Sequence, residues 1–250
     1  MERENSNKKL INNSFYDDLC ENWYTSNDHP VVLLRAENKL RNPWIKRKIK
    51  NHFSQKCKIL DIGCGAGILA NSLAKEDHEI TGIDLSESSL EVASKYDTTK
   101  KIKYLKASAY NLPFEDRSFD VVCAMDILEH LESPFLLIKE ASRVLKHGGL
   151  FFFHTFNKNL LSYLLVIKCV EWFIPNTPKN MHVYNLFIKP NQLKKMCYNA
   201  GLTIKDLKGF QPKIISFKTL KMIFSKKLSD DFPFTFTRKI KTGYCGFAVK

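Results

Sequence analysis

The sequence lacks the long apolar runs and paired cysteines of membrane-spanning and disulfide-rich proteins. No apolar run reaches the roughly 18 residues that a membrane-spanning helix needs, and the first ten residues, MERENSNKKL, are polar where a signal peptide would be apolar. The seven cysteines form no Cys-x-x-Cys pair, which is typical of free thiols in a reducing compartment. Repeats and low-complexity linkers are also absent. The 250 residues, 44% of them apolar, therefore predict one domain with one sizeable core.

Acidic residues are scarce in the last part of the chain. Residues 1–157 contain 22 Lys and Arg against 22 Asp and Glu, whereas residues 158–250 contain 17 against 4. The whole net charge of +13 therefore arises after residue 157. Such a basic surface suits nucleic acid or anionic lipid. A genome that favours lysine codons is the alternative explanation. Such a bias would also act on residues 1–157, however, where acidic and basic residues are equally numerous.

The most informative feature present is a glycine-rich loop, DIGCGAG at residues 61–67, between a predicted strand and a predicted helix. Gly63, Gly65 and Gly67 occupy every second position, so the backbone can turn sharply and a ligand can lie against it. A second apolar stretch ends at Asp84, where an acid is placed to accept both hydroxyls of a ribose. Together these features predict a nucleoside-containing cofactor across the carboxyl ends of the first two strands.

The spacing of this loop discriminates between nucleoside cofactors. Nicotinamide-binding folds use Gly-x-Gly-x-x-Gly and hold a pyrophosphate at the helix N-terminus. Here the order is Gly-x-Gly-x-Gly, preceded by Asp61. An acid would repel a pyrophosphate but suits a cation, such as the sulfonium and α-amino groups of S-adenosylmethionine. The segment from Asp61 to Asp84 closely resembles that of class I methyltransferases.

The alternation of apolar strands and amphipathic helices predicts a doubly wound α/β fold with a seven-stranded, mostly parallel sheet. The predicted strands lie near 57–62, 79–83, 102–106, 119–124, 150–154, 202–207 and 243–249. We expect a helical cap over 1–55, a cofactor-binding core over 56–157 and a basic substrate- or membrane-facing part over 158–250. An insertion after strand five contains the apolar stretch 160–174, which suits a core helix, a lid over the site or an interfacial helix.

Three residues with ionisable side chains follow the fourth predicted strand. On a helical turn, Asp126, Glu129 and His130 would share one face. Two carboxylates and an imidazole can bind Mg²⁺ or a similar divalent ion, which would lower the pKa of a phenol or catechol and hold it in line with the methyl group. In the alternative interpretation, which needs no metal, the first acid caps a helix and the histidine packs against neighbouring side chains.

Longer segments of the chain resemble the ubiquinone-biosynthesis O-methyltransferases, the class I family of polyprenyl-hydroxyphenol methylase and demethylubiquinol O-methyltransferase. The segments that match this family are LDIGCGAGIL (60–69), VVCAMDILEH (121–130), FFFHTFNKN (151–159), VEWFI (170–174), TPKNMH (177–182) and FIKP (187–190). The first two are shared by many methyltransferases. The segments between 151 and 190 are far more specific and carry the family assignment.

The resemblance implies roles for individual residues. The predicted cofactor contacts are Arg41, Asp61, Gly63, Gly65, Gly67, Asp84, Leu85, Ser108, Ala109 and Met125. The family's metal site falls on Asp126, Glu129 and His130, although its first member is usually the longer Glu. The catalytic candidates are Glu129, His130 and His182.

The resemblance also implies a substrate and a location. The substrate is a polyprenylated phenol or quinol, and such a lipid lives in the bilayer. We therefore expect a cytoplasmic protein that binds peripherally to the inner, anionic face of the membrane, with other ubiquinone-biosynthesis proteins as candidate partners. An apolar segment 160–174 beside a basic C-terminal part fits that need.

Two other functions remain open at this point. One is a methyltransferase for another acceptor, such as a natural-product phenol or an amine. The other is a basic, RNA-binding methyltransferase-like module. The aromatic residues of 217–236 are mixed with apolar residues rather than set in a basic groove, and no RNA-binding motif appears, so nucleic acid is not the expected partner.

Overall fold

A computed structural model describes residues 11–213 and 228–250. Part of the predicted basic and aromatic tail, including Phe217 and Phe224, lies outside the described residues. The N-terminal helical cap is confirmed as α1 (Phe15–Asp18), α2 (Asn22–Thr25) and the long α3 (Val31–His52), which begins directly after Pro30. Proline is favoured at a helix start because its fixed φ suits the first turn and its missing N–H is not needed there.

The described residues form a sheet of eight strands. They are β1 (Lys58–Ile62), β2 (Glu79–Asp84), β3 (Lys103–Lys106), β4 (Phe119–Met125), β5 (Leu145–Phe156), β6 (Thr203–Pro212), β7 (Phe234–Thr237) and β8 (Gly243–Val249). Their spatial order is β3-β2-β1-β4-β5-β8-β6-β7, in which β1 to β5 are parallel and the contacts of β8 and β7 are antiparallel. The predicted α/β fold class is therefore confirmed, with one edge strand more than expected.

Helices cover both faces of the sheet. After the cap come α4 (Ile68–Ala74), α5 (Glu87–Tyr96), α6 (Pro134–Val144), α7 (Leu160–Ser162), α8 (Cys169–Phe173) and α9 (Pro190–Asn199). The Ser86 side chain accepts a hydrogen bond from the backbone N–H of Ser89, so Ser86 caps α5. Separate apolar clusters fill the two faces, one around α6 and α9 and the other around α3 and α4. The order of strands reverses between β1 and β4, which is where ligands bind in such sheets.

The apolar stretch after β5 is helical throughout. Between α7 and α8, residues Tyr163–Lys168 form a π-helical turn, and we refer to the whole as helix 160–173. Val170 and Ile174 pack against α3 at Val32, whereas Leu160 and Trp172 are 69% and 66% exposed. Helix 160–173 therefore packs with one side against α3 and leaves apolar residues exposed on its outer surface. Within residues 11–213 and 228–250, no helix is long and apolar enough to cross a membrane.

Candidate active site

The glycine-rich loop is tied to the end of β2. The backbone N–H groups of Gly63 and Cys64 both donate to the carbonyl oxygen of Ile83, at 2.8 and 3.0 Å. Gly65, with φ of +50°, donates its N–H to the Asp84 carboxylate at 2.9 Å. A Cβ at Gly65 would lie 2.9 Å from the Trp23 ring, so glycine is required both by the left-handed backbone and by this contact.

Asp84 is held in one orientation by backbone donors. Its second carboxylate oxygen accepts the N–H of Ser86 at 2.9 Å, in addition to the bond from Gly65. Each carboxylate oxygen has two lone pairs, so both remain able to accept a ribose hydroxyl. Burial raises the pKa of Asp84, and its backbone hydrogen bonds oppose that rise. The position predicted for the ribose acid is therefore preorganised as an acceptor pair.

Asp61 is a buried acid without a complete set of partners. Its side chain is 3% exposed, and its Oδ2 atom has no hydrogen-bond partner among the described residues. Burial and the neighbouring Asp84 charge raise the pKa of Asp61 to about 8. A cation placed beside Asp61 and Asp84 would relieve both effects. The loop therefore fits a positively charged nucleoside such as S-adenosylmethionine.

These groups open into a cavity of about 700 Å³ at the carboxyl ends of the strands. The predicted site residues that line it are Asp61, Gly63, Gly65, Asp84, Leu85, Ser108, Ala109, Met125, Asp126, Glu129, His130 and His182. Two predicted cofactor residues do not line it. Gly67 instead packs against β3, because a Cβ there would lie 2.3 Å from the Tyr104 hydroxyl. Arg41 is fully buried behind the cavity wall.

Arg41 forms a buried ion pair with Asp126. One guanidinium nitrogen lies 2.6 Å from an Asp126 oxygen, and the other guanidinium nitrogen bonds the second oxygen of the same carboxylate. Arg41 also contacts Glu37 at 3.1 Å, and the Nδ1 atom of buried His154 bonds Asp126. Arg41 and His154 hold the pKa of Asp126 well below its usual value, against the effect of burial. Asp126 therefore remains a carboxylate with both oxygens occupied.

This pairing occupies the first of the three predicted metal ligands. Asp126 has φ of +59° and lies outside the short 3₁₀ turn Leu128–His130, so it does not share a helical face with Glu129 and His130. The third group beside those two residues is His182. The potential ligand atoms of Glu129, His130 and His182 all lie within 4.8 Å of one another. His154, which bonds Asp126, and Glu37, which pairs with Arg41, were not predicted, because they lie far from Asp126 in the sequence.

Glu129, His130 and His182 form the reactive end of the cavity. Glu129 is fully buried, neither of its oxygens has a hydrogen-bond partner among the described residues, and burial with the Asp126 charge raises its pKa to about 8. Burial lowers the pKa of His130 to about 4 and that of His182 to about 3, so both imidazoles are neutral near pH 7. The cluster combines a strongly proton-binding carboxyl group with two imidazoles that offer lone pairs.

Residues of the N-terminal cap contact His130 at the acceptor end of the cavity, which the sequence did not predict. Tyr16 stacks on Trp23 with ring centroids 5.5 Å apart, and its hydroxyl lies 3.5 Å from His130 Nε2. Asn13 Oδ1 lies 3.0 Å from His130 Nδ1 and so sets the orientation of that ring. The helical spacing of Tyr16 and Trp23 indicates packing, and only their contact with Gly65 and His130 makes them part of the site.

The comparisons with known proteins agree with this geometry. Residues 60–153 match the family model described as a methyltransferase domain. In solved structures, magnesium protoporphyrin IX methyltransferase from Synechocystis superposes with a TM-score of 0.59 at 16% identity, covering 97% of this chain and 90% of that one. A methyltransferase from Methanosarcina mazei gives 0.56 at 20% identity, covering 81% and 96%. At these identities the likeness shows the class I methyltransferase fold alone.

The curated relatives are closer in sequence. The ubiquinone biosynthesis O-methyltransferase of Hydrogenovibrio crunogenus is 36% identical over 82% of this chain and 84% of its own length. That of Aromatoleum aromaticum is 34% identical over 84% of this chain and 87% of its own. With a cavity that fits S-adenosylmethionine and relatives that match along most of both chains, the protein belongs to the S-adenosylmethionine-dependent ubiquinone biosynthesis O-methyltransferase family.

Proposed function

We propose that this single-domain protein transfers the methyl group of S-adenosylmethionine to a phenol or catechol hydroxyl of a polyprenylated ring. The observation that carries the proposal is one continuous cavity, which joins the cofactor loop to the Glu129–His130–His182 cluster. The hydroxyl oxygen attacks the methyl carbon, the bond from that carbon to sulfur breaks, and the hydroxyl proton leaves to a base. An RNA-binding module would need neither an acceptor hydroxyl nor a base beside the cofactor.

The test is methyl transfer in vitro with defined acceptors. Purified protein should methylate a prenylated catechol in the presence of S-adenosylmethionine, and mass spectrometry should locate the new methyl group on oxygen. An aniline of the same shape serves as the competing acceptor, because it reports the alternative of an amine methyltransferase. Turnover of the amine but not of the catechol would overturn the proposal.

Glu129 is the proton acceptor in a metal-free reaction. Both of its oxygens lack hydrogen-bond partners among the described residues at the acceptor end of the cavity, and burial raises its pKa, whereas burial lowers the pKa of His182 and makes that imidazole a weak base. A base works best when its pKa lies near the working pH. Glu129 therefore takes precedence over His182, which the sequence suggested as the alternative base.

The same cluster fits a divalent metal with a changed ligand set. Glu129, His130 and His182 offer two neutral imidazoles and a carboxylate, with His182 Nδ1 and both Glu129 oxygens lacking partners among the described residues. Imidazole-rich sets favour Zn²⁺ or Fe²⁺ over the oxygen-seeking Mg²⁺ that the sequence suggested. A bound ion would lower the pKa of the acceptor hydroxyl.

We expect EDTA to reduce turnover at least about tenfold if the cluster holds a metal, since activation of the acceptor hydroxyl would be lost. Zn²⁺ or Fe²⁺ should restore activity better than Mg²⁺. His182→Ala should mimic EDTA while calorimetry finds cofactor binding unchanged. Full activity in EDTA would instead leave Glu129 as the metal-free base, and Glu129→Gln would then abolish turnover.

The protein binds peripherally to the inner face of the membrane, where the substrate and any ubiquinone-biosynthesis partners reside. Support comes from the basic part after residue 157 and from the exposed apolar side chains of helix 160–173. An interfacial helix binds by apolar burial together with attraction to anionic headgroups.

Binding to phosphatidylglycerol vesicles should weaken as salt rises, because salt screens the attraction of the basic surface. Trp172→Ser should weaken binding about tenfold, since a large exposed ring no longer enters the headgroup region. Co-sedimentation measures both effects. The matched control is Tyr198→Ser, which removes an 80% exposed ring from α9. Equal loss in both variants, or no sedimentation at low salt, would contradict this location.

A further inference from the structure

The cavity has a second half whose chemistry differs from that of the cofactor end. Acidic and imidazole groups line the half at the carboxyl ends of β1, β2 and β4. The other half runs between α3, helix 160–173 and the β6–β7 edge of the sheet. Its wall is built from Leu33, Leu34, Val166, Val170, Phe232 and Phe234. These six side chains are all apolar, so this wall suits an apolar occupant.

The apolar half opens at an apolar surface. Phe173 lines the cavity and is also 52% exposed, so it lies at the boundary between the interior and solvent. The neighbouring Trp172 is exposed as well, and so are Leu164 and Leu160, about two and three turns earlier. A small polar catechol would leave this half and its opening unfilled. A long hydrocarbon chain attached to the ring would fill the half and emerge among exposed apolar side chains.

We infer that this half is the binding site for the isoprenoid tail of the acceptor, with the ring at the Glu129 end and the tail leaving past Phe173. The inference rests on the proposed function. It makes the tail a determinant of catalytic efficiency rather than only a membrane anchor. The first isoprene units, those inside the protein, should contribute, and units beyond Phe173 should not.

The experiment uses one catechol ring that carries zero, one or two isoprene units, in detergent-free solution. With the wild-type protein, kcat/KM should rise about tenfold or more for the first unit, since several buried CH₂ groups are gained. Val170→Trp would fill the apolar half, and the ratio of kcat/KM for the prenylated over the unprenylated catechol should fall at least about tenfold. Leu136→Trp, the same change at a 45% exposed residue of α6 outside the cavity, should keep the wild-type ratio.

The outcomes separate this inference from the proposed function. Methylation of the catechols with no dependence on the tail, or an unchanged ratio in Val170→Trp, would overturn the tail site and leave the function standing. No methylation of any catechol would overturn the function itself. Val166→Trp gives the same test if Val170→Trp fails to fold, as judged by calorimetry of S-adenosylmethionine binding.

Discussion

Asp84→Ala should weaken the binding of S-adenosylmethionine by at least about 100-fold, as measured by isothermal titration calorimetry. Two charge-assisted hydrogen bonds to the ribose would be lost, each contributing about 1.5–3 kcal/mol. The variant also frees the N–H groups of Gly65 and Ser86, which Asp84 accepts at 2.9 Å, so the cofactor loop loses its anchor to the end of β2.

The matched control for that experiment is Glu87→Ala. Glu87 lies three residues further along, its side chain is 71% exposed, and its ion pair with Lys106 is at the surface. Removing it should change cofactor affinity less than about twofold, because exposed pairs contribute little. Unchanged affinity in Asp84→Ala would mean that the ribose lies elsewhere in the cavity. If affinity falls as expected, Asp84→Asn separates the contribution of the charge from that of the shape, because asparagine keeps the shape of the acid and removes its charge.

Arg41→Met should lower the free energy of unfolding by about 3–5 kcal/mol at pH 7, because it leaves the Asp126 carboxylate buried without its cation. Arg41 is fully buried and bonds both oxygens of Asp126, so the variant removes the cation that faces both of these oxygens. Urea denaturation monitored by circular dichroism measures the loss. Lys39→Met on the same helix is the control, since its ion pair with Asp231 is exposed and should contribute less than about 1 kcal/mol.

The effect of Arg41→Met should depend on pH in a defined direction. In the wild-type protein the pKa of Asp126 is depressed, so its stabilising contribution is present above the ordinary value of 3.8 and is lost as pH falls through the depressed value. In the variant, the uncompensated carboxyl binds a proton more readily. The difference in free energy of unfolding between the wild-type protein and Arg41→Met should therefore become smaller as the pH falls. A double variant that adds Asp126→Asn should recover part of the loss, and no recovery would contradict the pairing.

Local sequence patterns were sufficient to bring together the residues predicted for the cofactor end of the cavity. Asp61, Gly63, Gly65 and Asp84 lie at the junctions of adjacent parallel strands with the following loops, and such junctions must meet at one edge of the sheet. Their chemistry can also be predicted from the sequence alone, because the spacing of the glycines and the positions of the acids favour one class of cofactor. Gly67 belongs to the same motif, yet it serves packing against Tyr104, which no spacing reveals.

The acceptor end could not be worked out in the same way. The pattern Asp-x-x-Glu-His predicts one helical face, but the left-handed backbone at Asp126 ends that periodicity and turns its carboxylate towards Arg41. The partner of Glu129 and His130 is His182, which arrives from a loop more than fifty residues later. Contacts between distant segments depend on how the cap and insertion dock on the sheet, which sequence spacing does not encode.

The sequence by itself determined the α/β fold, the cofactor and the family, because each depends on short segments whose periodicity or residue order has a local physical cause. Only the tertiary structure decided which acid is free. Asp126 and Glu129 are three residues apart, but one is neutralised by a buried arginine and the other has no hydrogen-bond partner among the described residues. A carboxyl group's proton affinity is set by burial and by neighbouring charges, and both are properties of the folded chain.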